Sequence, residues 1–122
     1  MSNDNLIQFG FRIPLSLVVA LEYRALKRNS YTGILIRAAI DQFIDKYNPQ
    51  DTEKVNQWVP PQIRLQSHLR VVHLYQAQYE ALRDIATKKN QSLDSLEQKV
   101  LMDDAIGSAI TEYLGLPPSW VR

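Results

Sequence analysis

The stretch Leu6-Ile7-Gln8-Phe9-Gly10-Phe11-Arg12-Ile13-Pro14 decides the fold. From Ile7 onward apolar and polar residues alternate, the period of a half-buried β-strand. Ile7, Phe9 and Phe11 therefore share one face, and Gln8, Gly10 and Arg12 share the other. Pro14 fixes φ and lacks an amide donor, so it ends the strand and suits the first turn of a helix.

Downstream, Leu17, Val18, Leu21, Ala25 and Leu26 recur at helical spacing up to the polar break Arg28-Asn29-Ser30, which predicts a helix of about four turns. Ser30 or Thr32 is placed to cap a second helix whose stripe is Ile36, Ala39, Ile40, Phe43 and Ile44. That helix is expected to stop near Tyr47, because Pro49 disfavours the helical conformation at Asn48. Strand, helix, helix is an incomplete fold. A lone strand leaves two unpaired edges, and so small a core buries too little apolar surface to offset chain entropy. A partner strand is required.

The pattern returns further on. His68-Leu69-Arg70-Val71-Val72-His73-Leu74 is β-rich and leads into the helical Tyr79, Leu82, Ile85 and Ala86. Ala20, Leu21, Ala25 and Asn29 match Ala81, Leu82, Ala86 and Asn90 at a constant offset of 61, an internal repeat. At this offset Tyr75 stands where Pro14 stood, and Leu69, Val71 and His73 where Gln8, Gly10 and Arg12 stood. The second helix of this repeat is expected to begin around Asp94 to Glu97, a capping-box spacing. It would be extended by several residues before Ala105-Ile106, Ala109-Ile110 and Tyr113, and its register against the first repeat stays open. Pairing of the two strands within one chain would make a fused pseudo-dimer, favoured by the high effective concentration that fusion supplies. The rival is pairing of like strands between chains.

The organisation expected is thus a first unit over residues 1–48, a linker over 49–67 that contains Pro60-Pro61, and a diverged second unit with a short tail over 68–122. Trp58 and Trp120, beside proline pairs, are either exposed anchors for a partner or, by the commoner pattern, cover for a small core.

Composition sets the outer limits. A chain of 122 residues, 45% hydrophobic, suits one compact domain or two very small ones. Its longest mainly apolar stretch, Leu15 to Leu21 with Ser16 within it, is far short of the roughly 20 residues of a membrane helix. The start MSNDN lacks a secretory pattern, so a cytoplasmic protein without membrane association is expected. The absence of cysteine excludes disulfides, thiolate zinc sites and thiol nucleophiles. His68 and His73, an odd number of strand positions apart, point to opposite faces and cannot share a metal. The four glycines form no phosphate loop, and no nucleophile elbow or Glu-His zinc motif occurs. No enzyme, metal or cofactor is expected.

Net charge is only +1, but its distribution is uneven. Residues 1–48 carry six bases (Arg12, Arg24, Lys27, Arg28, Arg37, Lys46) against four acids, a net +2. Residues 68–114 carry five bases against seven acids, a net −2. Phosphates would be better hosted by the first half.

The run Gln8-Phe9-Gly10-Phe11-Arg12-Ile13-Pro14, together with Ile36-Arg37-Ala38-Ala39-Ile40, resembles the ribbon-helix-helix family of Arc- and MetJ-like DNA-binding proteins. The resemblance covers Gln8 to about Tyr47, roughly a third of the chain. It implies a mainly α fold with a short β-ribbon, here a tandem ribbon-helix-helix as an intramolecular pseudo-dimer. The two-stranded ribbon would lie in the major groove of double-stranded DNA. By the resemblance, Gln8, Gly10 and Arg12 occupy base-reading positions, with Val71 and His73 at the matching places of the second unit. Ser30, Tyr31, Thr32 and Gly33 form the phosphate-binding start of the second helix, with Arg24, Lys27 and Arg28 beside it. Gly10 departs from the family where a side chain usually reads a base, and Gly33 where a small polar residue is usual, which shifts direct readout onto Gln8 and Arg12.

Elementary chemistry points the same way. An exposed Gln and Arg two pleats apart on a ribbon can reach base edges in the wide groove. A helix start with free amides and a hydroxyl cap is a ready phosphate site. Leu69, Val71 and His73 make a poor reading face, and the acids Asp94, Glu97, Asp103 and Asp104 would repel a phosphate, so the second unit reads as a structural partner. The function expected is a DNA-binding transcriptional regulator, a repressor, whose units dimerise further on longer DNA sites. The competing class is a protein-interaction module of the same fold, an antitoxin or assembly adaptor. The antitoxin version lacks a long disordered C-terminal segment, for only Gly115 to Arg122 follow the last helix.

Overall fold

The structure is a computed structural model in which residues 6–60, 67–93 and 99–116 are described. Among these, the elements follow in the order β1 (Leu6–Pro14), α1 (Leu15–Lys27), α2 (Thr32–Lys46), α3 (Thr52–Gln57), β2 (Ser67–Tyr75), α4 (Gln76–Gln91) and α5 (Met102–Leu114). The fold is mainly helical with one small sheet, in which β1 and β2 of the same chain pair antiparallel. Leu6 faces Tyr75, Gly10 faces Val71 and Pro14 faces Ser67, so both strands are paired along their whole length.

Strand alternation gives this ribbon two unlike faces. Phe11 and Ile13 from β1 and Val72 and Leu74 from β2 are buried. Phe9 packs partly against the same core, its ring edge-on to Tyr79 at 5.9 Å between centroids. Below the ribbon, α1 contributes Leu17, Val18, Leu21 and Ala25, and α4 contributes Leu82, Ile85 and Ala86. Helices α2 and α5 pack on each other, and the residues they bury include Leu35, Ile36, Ala39 and Ile40 of α2 and Ala105, Ile106, Ala109 and Ile110 of α5. One contiguous core results, with the ribbon as its lid.

Local chemistry sets the helix ends. The amide of Ser30 donates to Ala25 O at 2.8 Å and that of Asn29 to Leu26 O at 3.1 Å, while Asn29 adopts φ +51°. This left-handed closure, which asparagine tolerates, stops α1 and turns the chain into α2 after four residues. The residue that caps α2 is Tyr31, with no side-chain hydrogen bond, so the expected hydroxyl cap by Ser30 or Thr32 does not form. Ser30 instead spends its amide on closing α1.

Two further expectations are corrected. Helix α5 begins at Met102 and not around Asp94 to Glu97; residues 94–98 lie outside the described residues, and Lys99 to Leu101 are not helical. The helix start is set by Asp104, whose Oδ2 accepts from the Leu101 amide at 2.7 Å. Ahead of it, the Asn90 side chain holds Val100 in both directions, accepting from its amide at 2.7 Å and donating to its carbonyl at 3.0 Å. The segment read as linker is also partly structured, since α3 lies within it, capped by Asp51 Oδ1 accepting from the Lys54 amide at 3.3 Å. Lys88 donates to Pro49 O and Lys89 to Asn56 O, at 2.9 Å for the latter, tying this segment to α4. Burial pulls the Lys89 ammonium below its ordinary pKa. Trp58 is core cover: it is 1% exposed, its ring stands edge-on to Phe43, and its Nε1 donates to Ser108 Oγ at 2.9 Å. Trp120 lies outside the described residues. Among the described residues no helix is long and apolar enough to cross a membrane.

Candidate nucleic-acid interface

The outer face of the ribbon is built by the residues that strand alternation turns away from the core. From β1 these are Leu6, Gln8, Gly10 and Arg12, and from β2 they are Leu69, Val71, His73 and Tyr75, all exposed. The register sets Gln8 beside His73, Gly10 beside Val71 and Arg12 beside Leu69. All five residues expected to read bases are thus brought onto one face, two strands wide. At the repeat offset, Gly10 stands opposite its own counterpart Val71, so a local twofold axis of the ribbon passes between them. Polar reach is unequal about that axis. Gln8 and Arg12 extend from β1, whereas β2 offers two aliphatic side chains and His73.

Each edge of the ribbon is met by the first turns of a helix. At the β2 edge, Arg37 of α2 donates through Nη1 to His73 O at 2.9 Å, and its guanidinium lies 6.0 Å from the Tyr75 ring centroid. At the β1 edge, Asp103 of α5 accepts from the Arg12 backbone amide at 2.8 Å. These two helix starts differ chemically. Asp103 and Asp104 occupy the first turn of α5, and both carboxylates already hold backbone amides. The first turn of α2 has no acid, and among the described residues the amides of Thr32 and Gly33 meet no acceptor. The electrostatics of the two starts are therefore opposite, that of α2 favouring a negative group and that of α5 disfavouring one.

The basic residues expected at phosphates separate into two groups. Arg24 donates to Leu114 O at 3.2 Å, where it satisfies the C-terminal end of α5. Arg28 donates to Tyr113 Oη at 3.2 Å and lies over that ring. Both guanidiniums are committed to the last turn of α5. Lys27 is exposed, and among the described residues its ammonium lies over the Tyr23 ring alone, 5.8 Å from its centroid. Tyr31 is 77% exposed at the α2 cap. His68 is turned inward, away from His73, and among the described residues no three of His, Cys, Asp or Glu cluster as metal ligands.

Comparison of the chain with protein-family models, with curated proteins and with solved structures finds no match. The geometry therefore carries the functional reading alone. It adds ribbon-edge roles that sequence reasoning did not assign, those of Arg37 and Asp103. The signal for Arg37 was present: it lies one helical turn after Gly33, on the side that faces whatever covers the helix start. The role of Asp103 had no such signal, because its partner lies 91 residues away.

Proposed function

We propose that this chain is a tandem ribbon-helix-helix protein, an intramolecular pseudo-dimer, that acts as a sequence-specific double-stranded DNA-binding regulator and represses transcription. The observation that carries the reading is the convergence of Gln8, Gly10, Arg12, Val71 and His73 on one exposed ribbon face, flanked by the open start of α2. A two-stranded ribbon fits the major groove, which is about 12 Å wide. Arg12 is suited to guanine, whose O6 and N7 accept its fork of donors, and Gln8 to adenine. The amides of Thr32 and Gly33, with Lys27 nearby in sequence, are suited to a backbone phosphate that fixes register. The ribbon register supports the pseudo-dimer, since the strands pair symmetrically about the positions that the repeat offset equates.

The test is selection of fragments by the purified chain from a random duplex library. Enrichment of a motif with a guanine that depends on Arg12 is expected, and recovery of random DNA alone would overturn the reading. A second reading, a protein-interaction module on the same scaffold, is favoured by one feature. Leu6, Leu69 and Val71 are 50%, 52% and 51% exposed on the ribbon's outer face, an apolar surface that a protein partner would also cover. Lack of enrichment in the same selection would transfer support to it.

A further inference from the structure

The outer faces of α1 and α4 contrast sharply. On α1, Leu15, Val19, Tyr23 and Leu26 are 50%, 56%, 61% and 78% exposed, and their spacing lines them along one side of the helix, away from buried Leu17, Leu21 and Ala25. At the repeat offset the same places on α4 hold Gln76, Glu80, Asp84 and Thr87. Because α4 supports its strand with a polar outer face, the fold itself does not call for the apolar one. Four such side chains make a patch of roughly a few hundred Å², the size at which exposed apolar surface marks an interaction site.

We infer that this stripe packs against the same stripe of a second copy of the chain, the two α1 helices running antiparallel about a twofold axis near Leu21. A twofold contact requires a surface complementary to itself. Read in reverse, the stripe meets that requirement: Leu15 comes opposite Leu26, and the smaller Val19 opposite the larger Tyr23. A parallel pair would set Tyr23 on Tyr23 and Val19 on Val19. Charge at the rim agrees with the antiparallel arrangement. Glu22, beside Leu15 and Leu26 on the helix surface, pairs with Arg70 at 3.3 Å. The axis brings a second, reversed Glu22–Arg70 pair alongside, and each carboxylate gains another guanidinium. The contact uses neither the ribbon face nor the α2 start and stands independently of any DNA reading.

Because the chain has no cysteine, single cysteine variants report the contact without background. Mixing Leu15→Cys with Leu26→Cys under mild oxidation, without DNA, should give the mixed disulfide in preference to either homodisulfide. Predominance of the Leu15→Cys homodisulfide would overturn the antiparallel register. Sedimentation of the unmodified chain should show concentration-dependent dimers; a monomer throughout the micromolar to millimolar range would overturn the proposal. Val19→Glu should weaken association roughly tenfold or more. Its thermal melt should stay that of a folded chain, because position 19 is exposed. Tyr23→Ser gives a second probe without added charge, and Glu80→Gln on α4 should leave association unchanged. Arg70→Ala should weaken the dimer by leaving two carboxylates face to face. Equal behaviour of the Val19, Tyr23 and Glu80 variants would also refute the inference.

Discussion

Asn29 and Asn90 occupy the same place in the two halves of the molecule, separated by the repeat offset, and they do opposite things. Asn29 leaves the helical region at φ +51° and closes α1, so that α2 starts after a four-residue turn. Asn90 stays inside α4, and its amide clamps Val100 across a ten-residue connection to α5. After the short turn, the amides of Thr32 and Gly33 at the start of α2 meet no acceptor among the described residues. The long one delivers Asp103 and Asp104 to the start of α5. A shared apolar skeleton thus carries two different surfaces, and the choice between them lies in the connections and in a few polar residues, not in the core.

The largest effect should come where the halves are most alike. Ile40 and Ile110 are both 0% exposed, one on each of the helices α2 and α5 that pack together. Ile40→Ala and Ile110→Ala should each cost about 2 to 5 kcal/mol, and by similar amounts, in urea unfolding. A loss confined to one of them would show that the halves do not share the core evenly.

Much of this skeleton was readable in advance because it rests on local periodicity. Period-two alternation placed Phe9 and Phe11 inward and Gln8 and Arg12 outward, and the offset taken from Ala20, Leu21, Ala25 and Asn29 also places Val71 across from Gly10. The start of α5 was not readable, since Asp94 and Glu97 offer the same spacing as Leu101 and Asp104, and the clamp of Asn90 on Val100 just ahead of Met102 joins residues ten positions apart. Nor were the commitments of Arg24 and Arg28 to Leu114 and Tyr113, which join residues 90 and 85 positions apart. Charge and proximity in sequence placed both at phosphates; the fold directs both guanidiniums to α5.

On DNA, the comparison narrows to Arg12 and His73, which share a place in the two strands. Arg12→Lys keeps the charge and removes the fork, and should cost about 1 to 3 kcal/mol of binding with relaxed preference at one guanine. Gln8→Ala should relax one adenine position with little change in nonspecific affinity. His73→Ala should cost less than Arg12→Ala in titrations on the selected site; equal losses would mean that β2 reads bases as fully as β1.

Leu17 and Gln78 are another matched pair, one apolar and one polar, both buried. Gln78 accepts from the Tyr75 amide at 3.1 Å through Oε1 and donates through Nε2 to Arg37 O at 3.1 Å and Asp41 Oδ1 at 2.8 Å. Making the halves alike with Gln78→Leu should destabilise by about 1 to 3 kcal/mol despite the added apolar surface, because those groups lose their partner. A stabilised variant in thermal melts would show that the bonds are dispensable.

Salt dependence separates the basic residues at the end of α1, Arg24, Lys27 and the C-cap Arg28. Lys27→Ala should lower the slope of log affinity against log salt by about one and weaken all sequences nearly equally. Arg24→Ala and Arg28→Ala should leave that slope unchanged, and Arg24→Ala should instead destabilise the end of α5, whose carbonyl loses its donor. A slope change at Arg28 equal to that at Lys27 would mean that the guanidinium leaves Tyr113 when DNA binds.

The smallest expected effect lies on the ribbon's own axis, where Gly10 faces Val71. Gly10 does not need to be glycine for backbone reasons, since among the described residues Gly115 is the glycine with positive φ. Nor does space require it, for a Cβ there would meet Leu69 Cδ1 at 3.6 Å, an ordinary contact. A strand glycine carries excess entropy in the unfolded chain, so Gly10→Ala should stabilise the free protein by about 0.4 to 1 kcal/mol. Any loss of DNA affinity in that variant then reports the interface and not the fold. A severalfold loss would show that bases approach the backbone at Gly10, with the absent side chain serving as clearance. Unchanged affinity would show that the centre of the ribbon stands off from the groove floor, leaving recognition to Gln8 and Arg12 on one side of the axis.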